Sequence, residues 1–200
     1  KYNIEEYKAG ERLYNDLKII SQTDYPQNNE KKEDGDIDKI NEIDFNELKN
    51  INSEIIAWIK DFDGTINYPI AQGKDNNYYL NHLFNKEKNS SGCIFLDYRN
   101  KKDFSDKNSI IYGHNMNDGS MFASLLNYQE KYFIERNKLS LITPEKNYVI
   151  QIFSCYNAEI NGNSWNMDFQ LNSDYENWLK EITQKSLWDS SVLPSKEDKI

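Results

Sequence analysis

Ser109-Ile110-Ile111-Tyr112-Gly113-His114-Asn115-Met116 is the stretch on which the reading of this chain turns. Its apolar run predicts a short buried strand over residues 109 to 112. Gly113 breaks that strand, and His114 is delivered at its end. The chain has only one other histidine, His82. An imidazole gains or loses a proton near neutrality, and polar strand ends are where a rigid β scaffold presents chemistry. The same residues also suit a hydrogen-bonded histidine in a turn, and local pattern leaves both readings open.

Working outward, short apolar runs predict further strands at residues 57–62, 65–70 and 93–97. Asp63-Gly64 marks a turn between the first two, and Pro69 suits an edge or a strand end. Residues 76–84 are expected to form a short helix carrying Tyr79, Leu80 and Leu83, and residues 120–127 and 130–136 look helical. Residues 139–142 and 148–156 read as a hairpin closed by Pro144, Glu145, Lys146 and Asn147. Tyr175, Trp178, Leu179 and Ile182 make one apolar helical stripe, expected to pack against the strands, with Ser173 and Glu176 as its capping box. At the front, Ile4, Tyr7, Leu13, Tyr14, Leu17 and Ile20 recur at helical spacing over residues 2–21. A polar, charged stretch follows to residue 42. Asp44 and Glu47 then suit a helix start. The predicted organisation is an N-terminal helix and linker at 1–42 and a mostly β domain with peripheral helices at 43–200.

Bulk chemistry narrows the function. The net charge of −9 argues against a nucleic-acid binder, which would carry a basic stripe, and leaves a peptide partner open. No run approaches the roughly 18 apolar residues of a membrane-spanning helix. The chain begins at Lys1, which leaves room for a signal or anchor segment upstream. Cys93 and Cys155 are too few for a disulfide framework and sit in apolar runs, where a free cysteine behaves as a small hydrophobe; nothing in the sequence fixes their separation, so whether they are free or bonded to each other stays open. Two separated histidines make no metal site, and Glu33, Asp34, Asp36 and Asp38 lack the ligand order of a calcium loop. No cofactor is expected.

Several motifs together resemble one family. They are Ala57-Trp58-Ile59 followed by Thr65-Ile66-Asn67-Tyr68-Pro69-Ile70; Gln72 and Asp75-Asn76 leading to Tyr79-Leu80; Gly92 with Ile94-Phe95-Leu96-Asp97; and Ile111-Tyr112-Gly113-His114-Asn115-Met116 with Ser120-Met121-Phe122. In this order and spacing, residues 40–200 resemble the class B sortases of Gram-positive bacteria, and the helical N-terminus resembles the extension of that class. The resemblance implies a closed eight-stranded β-barrel whose last two strands follow Ile200. It also implies a cysteine transpeptidase. The enzyme would cut an Asn-Pro-x-Thr-type sorting signal after Thr through a thioester and join the cut protein to a peptidoglycan cross-bridge amine. The implied partners are the sorting-signal peptide and that amine, at the outer face of a membrane reached only through an N-terminal anchor absent from this chain.

His114 matches the catalytic histidine of the family. Asn76, Leu80 and Trp165 match substrate-groove positions, beside the plainer readings of a helix cap, a core residue and a lid. The family's nucleophile belongs to a Thr-Leu-Ser-Thr-Cys-like strand, which Asp198-Lys199-Ile200 resembles at its opening. Both that cysteine and the oxyanion arginine are therefore expected after Ile200. Cys93, Cys155, Arg12, Arg99 and Arg136 do not match those positions, and Asp97 is expected to be a structural acceptor holding a loop. The rival readings are a non-catalytic wall-associated binding module on the same barrel and a cytosolic hydrolase pairing Cys155 with His114.

Overall fold

The computed structural model describes residues 4–22, 43–130 and 138–200. Most of the expected linker and the expected helix beyond Glu130 lie outside the described residues. Strand β1 (Ile55–Asp61) turns through Asp63-Gly64 into β2 (Asn67–Ala71), with Gly64 at a φ of 74° that only glycine adopts freely. Strands β3 (Ile94–Leu96), β4 (Ile111–Tyr112), β5 (Leu139–Ile142) and β6 (Asn147–Ile150) complete one sheet in the order β4-β3-β2-β1-β5-β6. Among the pairs of these six described strands, only β2–β3 is parallel.

This corrects the expectation of a closed eight-stranded barrel. β4 and β6 end the sheet and do not pair, so the six described strands form a curled, open half-barrel. Closure needs two hydrogen-bonded neighbours for every strand. β6 also stops earlier than expected: Ile150 pairs with Leu139, the first residue of β5, and among the described residues the pairing goes no further. Pro69 lies inside β2 rather than at an edge. It faces Trp58 of β1, while β3 pairs only with Ile70 and Ala71, so no ladder bond to β3 is lost.

The expected helix over residues 76–84 shrinks to a single 3-10 turn, Tyr78–Leu80. Its backbone groups are committed elsewhere. The Tyr79 carbonyl, which a helix would offer to Leu83, accepts from the Cys93 amide, and the Leu83 amide donates to the Glu87 carbonyl. The Asp75 carboxylate caps the Asn77 and Tyr78 amides instead. Residues Ala123–Gln129 likewise form 3-10 turns.

Helix α1 (Ile4–Ile20) and helix α2 (Phe45–Ile51) cover the sheet, and Asp44 caps α2 through the Asn46 and Glu47 amides as expected. Leu17, Leu48, Trp58, Ile70, Tyr79, Phe84 and Phe95 are among the most buried side chains of the main core. Of the predicted α1 stripe, Tyr14 and Leu17 are buried while Ile4 and Ile20 are exposed. The Tyr14 hydroxyl donates to the Gly92 carbonyl at 2.6 Å. Glu6 accepts from the Asn89 side chain and the Ser90 amide, so α1 braces residues 89–92. Tyr14→Phe leaves the buried Gly92 carbonyl without that donor. It is expected to destabilise the fold by about 1–3 kcal/mol, seen as a lower urea midpoint with an unchanged m-value.

Helix α3 (Asn172–Gln184) starts two residues earlier than predicted, and its cap differs: the Asp174 carboxylate, not a Ser173–Glu176 pair, accepts from the Leu171 amide. Its stripe of Tyr175, Trp178, Leu179 and Ile182 is buried as predicted, but in a second, smaller core with Phe153, Tyr156, Phe169 and Ile200. The Tyr175 hydroxyl also meets the carbonyls of Lys107 and Asp198 at 3.1 and 2.9 Å, tying the chain's last residues to the approach of β4.

Candidate active site

β3 and β4 run side by side, with Phe95 opposite Tyr112 and Leu96 opposite Ile111. A side chain at Gly113 would lie 2.4 Å from Ile94 Cδ1 and 2.6 Å from the Phe122 ring, so only glycine fits there. His114 follows, half-buried. Its carbonyl accepts from the Phe122 amide, and the Asn115–Met121 bridge closes the loop behind it. Its Nε2 sits 2.6 Å from the Leu80 carbonyl. A carbonyl only accepts, so this nitrogen donates and Nδ1 is the one turned away from the contact. Gly92, at a φ of 60°, packs against both groups: a Cβ there would lie 2.9 Å from the Leu80 carbonyl oxygen and 3.1 Å from His114 Cδ2.

A carboxylate organises the other half of the site. Asp97, buried at the end of β3, accepts from Asn76 Nδ2 at 2.8 Å and from the Tyr112 hydroxyl at 2.9 Å. Arg99 closes a two-pronged ion pair on it at 2.9 and 2.7 Å. Burial pushes the Asp97 carboxyl up, but the donors from Arg99, Asn76 and Tyr112 outweigh this and hold it at about 2. Burial and the hydrogen bond to Asp97 push the Tyr112 phenol up to about 12. The Tyr112 ring stacks on Trp165, with centroids 6.4 Å apart. Trp165 ends the 3-10 turn Asn163–Trp165 and donates from Nε1 to the Glu159 carbonyl.

Of the residues read from sequence, His114 and Leu80 are thus in direct contact. Asn76 and Trp165 join the same end of the sheet through Asp97 and Tyr112. Leu80 and Trp165 keep 42% and 37% of their surface, so Leu80 is not a core residue. Asn76 is no helix cap: its carbonyl oxygen accepts from the Tyr98 amide while its nitrogen donates to Asp97. Asp97 holds a loop as expected, through the Arg99 amide, but also orients Asn76 and Tyr112, which the sequence reading missed. The Asp97-x-Arg99 spacing at a strand end could have flagged the ion pair alone.

Neither cysteine is held toward its thiolate form. Both are free. Burial pushes the Cys93 thiol up to about 12, and burial also raises Cys155. A reactive cysteine needs the opposite shift, toward the thiolate. Cys155→Ala is accordingly expected to change turnover of the full-length protein by less than about twofold. Loss of activity in that variant, still folded, would instead favour the pairing of Cys155 with His114. Among the described residues no group of His, Cys, Asp and Glu side chains is arranged to hold a metal, and no helix is long and apolar enough to cross a membrane.

No protein-family model matches the chain. Individual proteins do. Sortase B of Listeria monocytogenes is 36% identical over 196 residues, covering 98% of this chain and 77% of that protein. A Bacillus anthracis crystal structure described as similar to sortase B superposes with a TM-score of 0.81 at 33% identity, covering 97% of this chain and 88% of that one. A Staphylococcus aureus sortase B–substrate complex gives a TM-score of 0.74 at 35% identity, covering 78% of this chain and 72% of that one.

Proposed function

The chain belongs to the class B sortases, and on that premise we propose that it carries the acid–base half of a cysteine transpeptidase acting on Asn-Pro-x-Thr-type sorting signals. Sortase transpeptidation in general follows from the family.

One observation carries it. The Ile200 amide donates to the Lys107 carbonyl and the Ser109 amide donates to the Ile200 carbonyl. That is the bonding of a parallel ladder, in register with Asn108 on the approach to β4. A strand continuing in this register runs alongside β4 toward His114, six residues beyond Asn108. The nucleophilic cysteine is therefore proposed on that strand, level with the imidazole, and the oxyanion arginine on the next one.

The thiolate attacks the Thr carbonyl carbon, and the arginine stabilises the oxyanion that forms. As the C–N bond breaks, protonated His114 gives its proton to the leaving amine, and a thioester remains. The cross-bridge amine then attacks the thioester, loses a proton to His114 and forms the new amide as the thiolate departs. Nδ1, turned away from the Leu80 carbonyl, is the nitrogen that exchanges this proton. Leu80, Asn76 and Trp165 line the peptide's path. The setting is the outer face of the cell membrane, with anchoring N-terminal to this chain.

The test is to incubate the full-length protein with an Asn-Pro-x-Thr peptide and a glycine-type amine. Cleavage after Thr, an amine adduct and an acyl group on a cysteine following Ile200 are expected by mass spectrometry. Peptide binding without cleavage would leave the wall-associated binding module.

A further inference from the structure

The Asp97 carboxylate receives five hydrogen bonds. Oδ1 accepts from the Arg99 amide and Nε; Oδ2 accepts from Arg99 Nη2, Asn76 Nδ2 and the Tyr112 hydroxyl. A carboxylate offers about four lone-pair directions, so this one is saturated. Its donors come from three separate segments: the turn before Tyr78, the loop after β3 and the end of β4. Two of them lead directly to the surface beside His114. Asn76 is pinned at both ends of its amide, by Asp97 and by the Tyr98 amide. Tyr112 is held by its hydroxyl and stacks on the exposed Trp165.

We propose that Asp97 is a positioning residue of this site: it fixes Asn76 and the Tyr112–Trp165 pair relative to each other, so the peptide meets a preformed groove. It takes no part in the chemistry at the nucleophile. The inference rests on reading the Asn76–Trp165 surface as that groove. Only an acceptor on both oxygens can do this. Asparagine at position 97 would turn an amino group toward donors in either orientation. Facing Oδ1 it meets the Arg99 amide and Nε, which cannot rotate to accept. Facing Oδ2 it meets Arg99 Nη2, which cannot accept, Tyr112, whose hydroxyl can turn, and Asn76, which cannot accept without flipping. A flipped Asn76 sets its own amino group against the Tyr98 amide. The groove wall is released while the strands stay paired.

Asp97→Asn in the full-length protein tests this with three readouts. KM for an Asn-Pro-x-Thr peptide should rise about tenfold, with kcat changing less than about threefold. Alkylation of the cysteine following Ile200 by iodoacetamide, read by mass spectrometry, should stay within about twofold. Side-chain amide exchange of Asn76, read by NMR, should accelerate about tenfold. Adding Asn76→Ala to Asp97→Asn should cost little more than either change alone, since both release the same wall. A matching fall in alkylation, or fully multiplicative losses, would overturn the proposal. Should Asp97→Asn not fold, Tyr112→Phe removes one donor and keeps the ring; an unchanged KM there overturns it as well. The exchange readout needs no peptide. If the wild type cleaves no such peptide, the functional reading fails on its own, while slow Asn76 exchange still tests the positioning role.

Discussion

His114→Ala in the full-length protein is expected to lower kcat/KM for sorting-signal cleavage by about 10²–10⁴-fold, the usual worth of a positioned acid–base group. The melting temperature should move by no more than about 2 °C. The stability half of this expectation follows from the site. The ring is half-buried, and its partner, the Leu80 carbonyl, belongs to an exposed residue where water can replace the lost bond. His114→Gln separates holding from proton transfer. Its amide nitrogen can still donate to the Leu80 carbonyl, but it cannot pass a proton to the leaving amine. Equal loss in both variants marks proton transfer as the function of the imidazole. Recovery in the glutamine variant would reduce His114 to a structural contact, and cleavage retained by the alanine variant would remove it from the mechanism.

How much of this could be read in the sequence depends on what each residue's neighbours supply. The β1–β2 hairpin was legible because Asp63-Gly64 and the flanking apolar runs are local signals, and the observed strands Ile55–Asp61 and Asn67–Ala71 lie within two residues of those read. The Asp44 cap and the α3 stripe were legible for the same reason. The helix expected over residues 76–84 was not, since its carbonyl at Tyr79 is taken by Cys93 from across the fold. Sheet closure was a family expectation that the six described strands do not meet. At the site, His114 and Leu80 came from motif matching and are in contact. Asp97 was read as an acceptor for one loop, because no single-sequence pattern reveals that Asn76, Arg99 and Tyr112 converge on it. Long-range polar convergence is a tertiary fact. The sequence supplies the residue types, and the fold decides which of them meet.

The second large effect is expected at Gly92, a residue that does no chemistry. Its φ of 60° is a left-handed conformation, which costs an alanine about 1–2 kcal/mol. Space is the greater obstacle. A Cβ there would lie 2.6 Å from the Tyr79 carbonyl oxygen, 2.9 Å from that of Leu80 and 3.1 Å from His114 Cδ2. Two of these neighbours are backbone, so relief means moving the 3-10 turn itself. That turn carries the carbonyl that holds the imidazole, and Gly92's own carbonyl is held from behind by Tyr14. Gly92→Ala should therefore destabilise the fold by about 3–4 kcal/mol or more, a fall in melting temperature of roughly 6–15 °C for a chain of this size. In the fraction that remains folded it should also lower kcat. Gly64→Ala is the control. Its φ of 74° is equally left-handed, but nothing lies within 4 Å of a Cβ built there, so only the conformational cost of about 1–2 kcal/mol applies. If thermal melts place the two variants at the same stability, conformation alone explains Gly92 and the close packing of the turn against His114 does not matter. A larger loss at Gly92, with activity falling only there, ties the glycine to the seat of the imidazole.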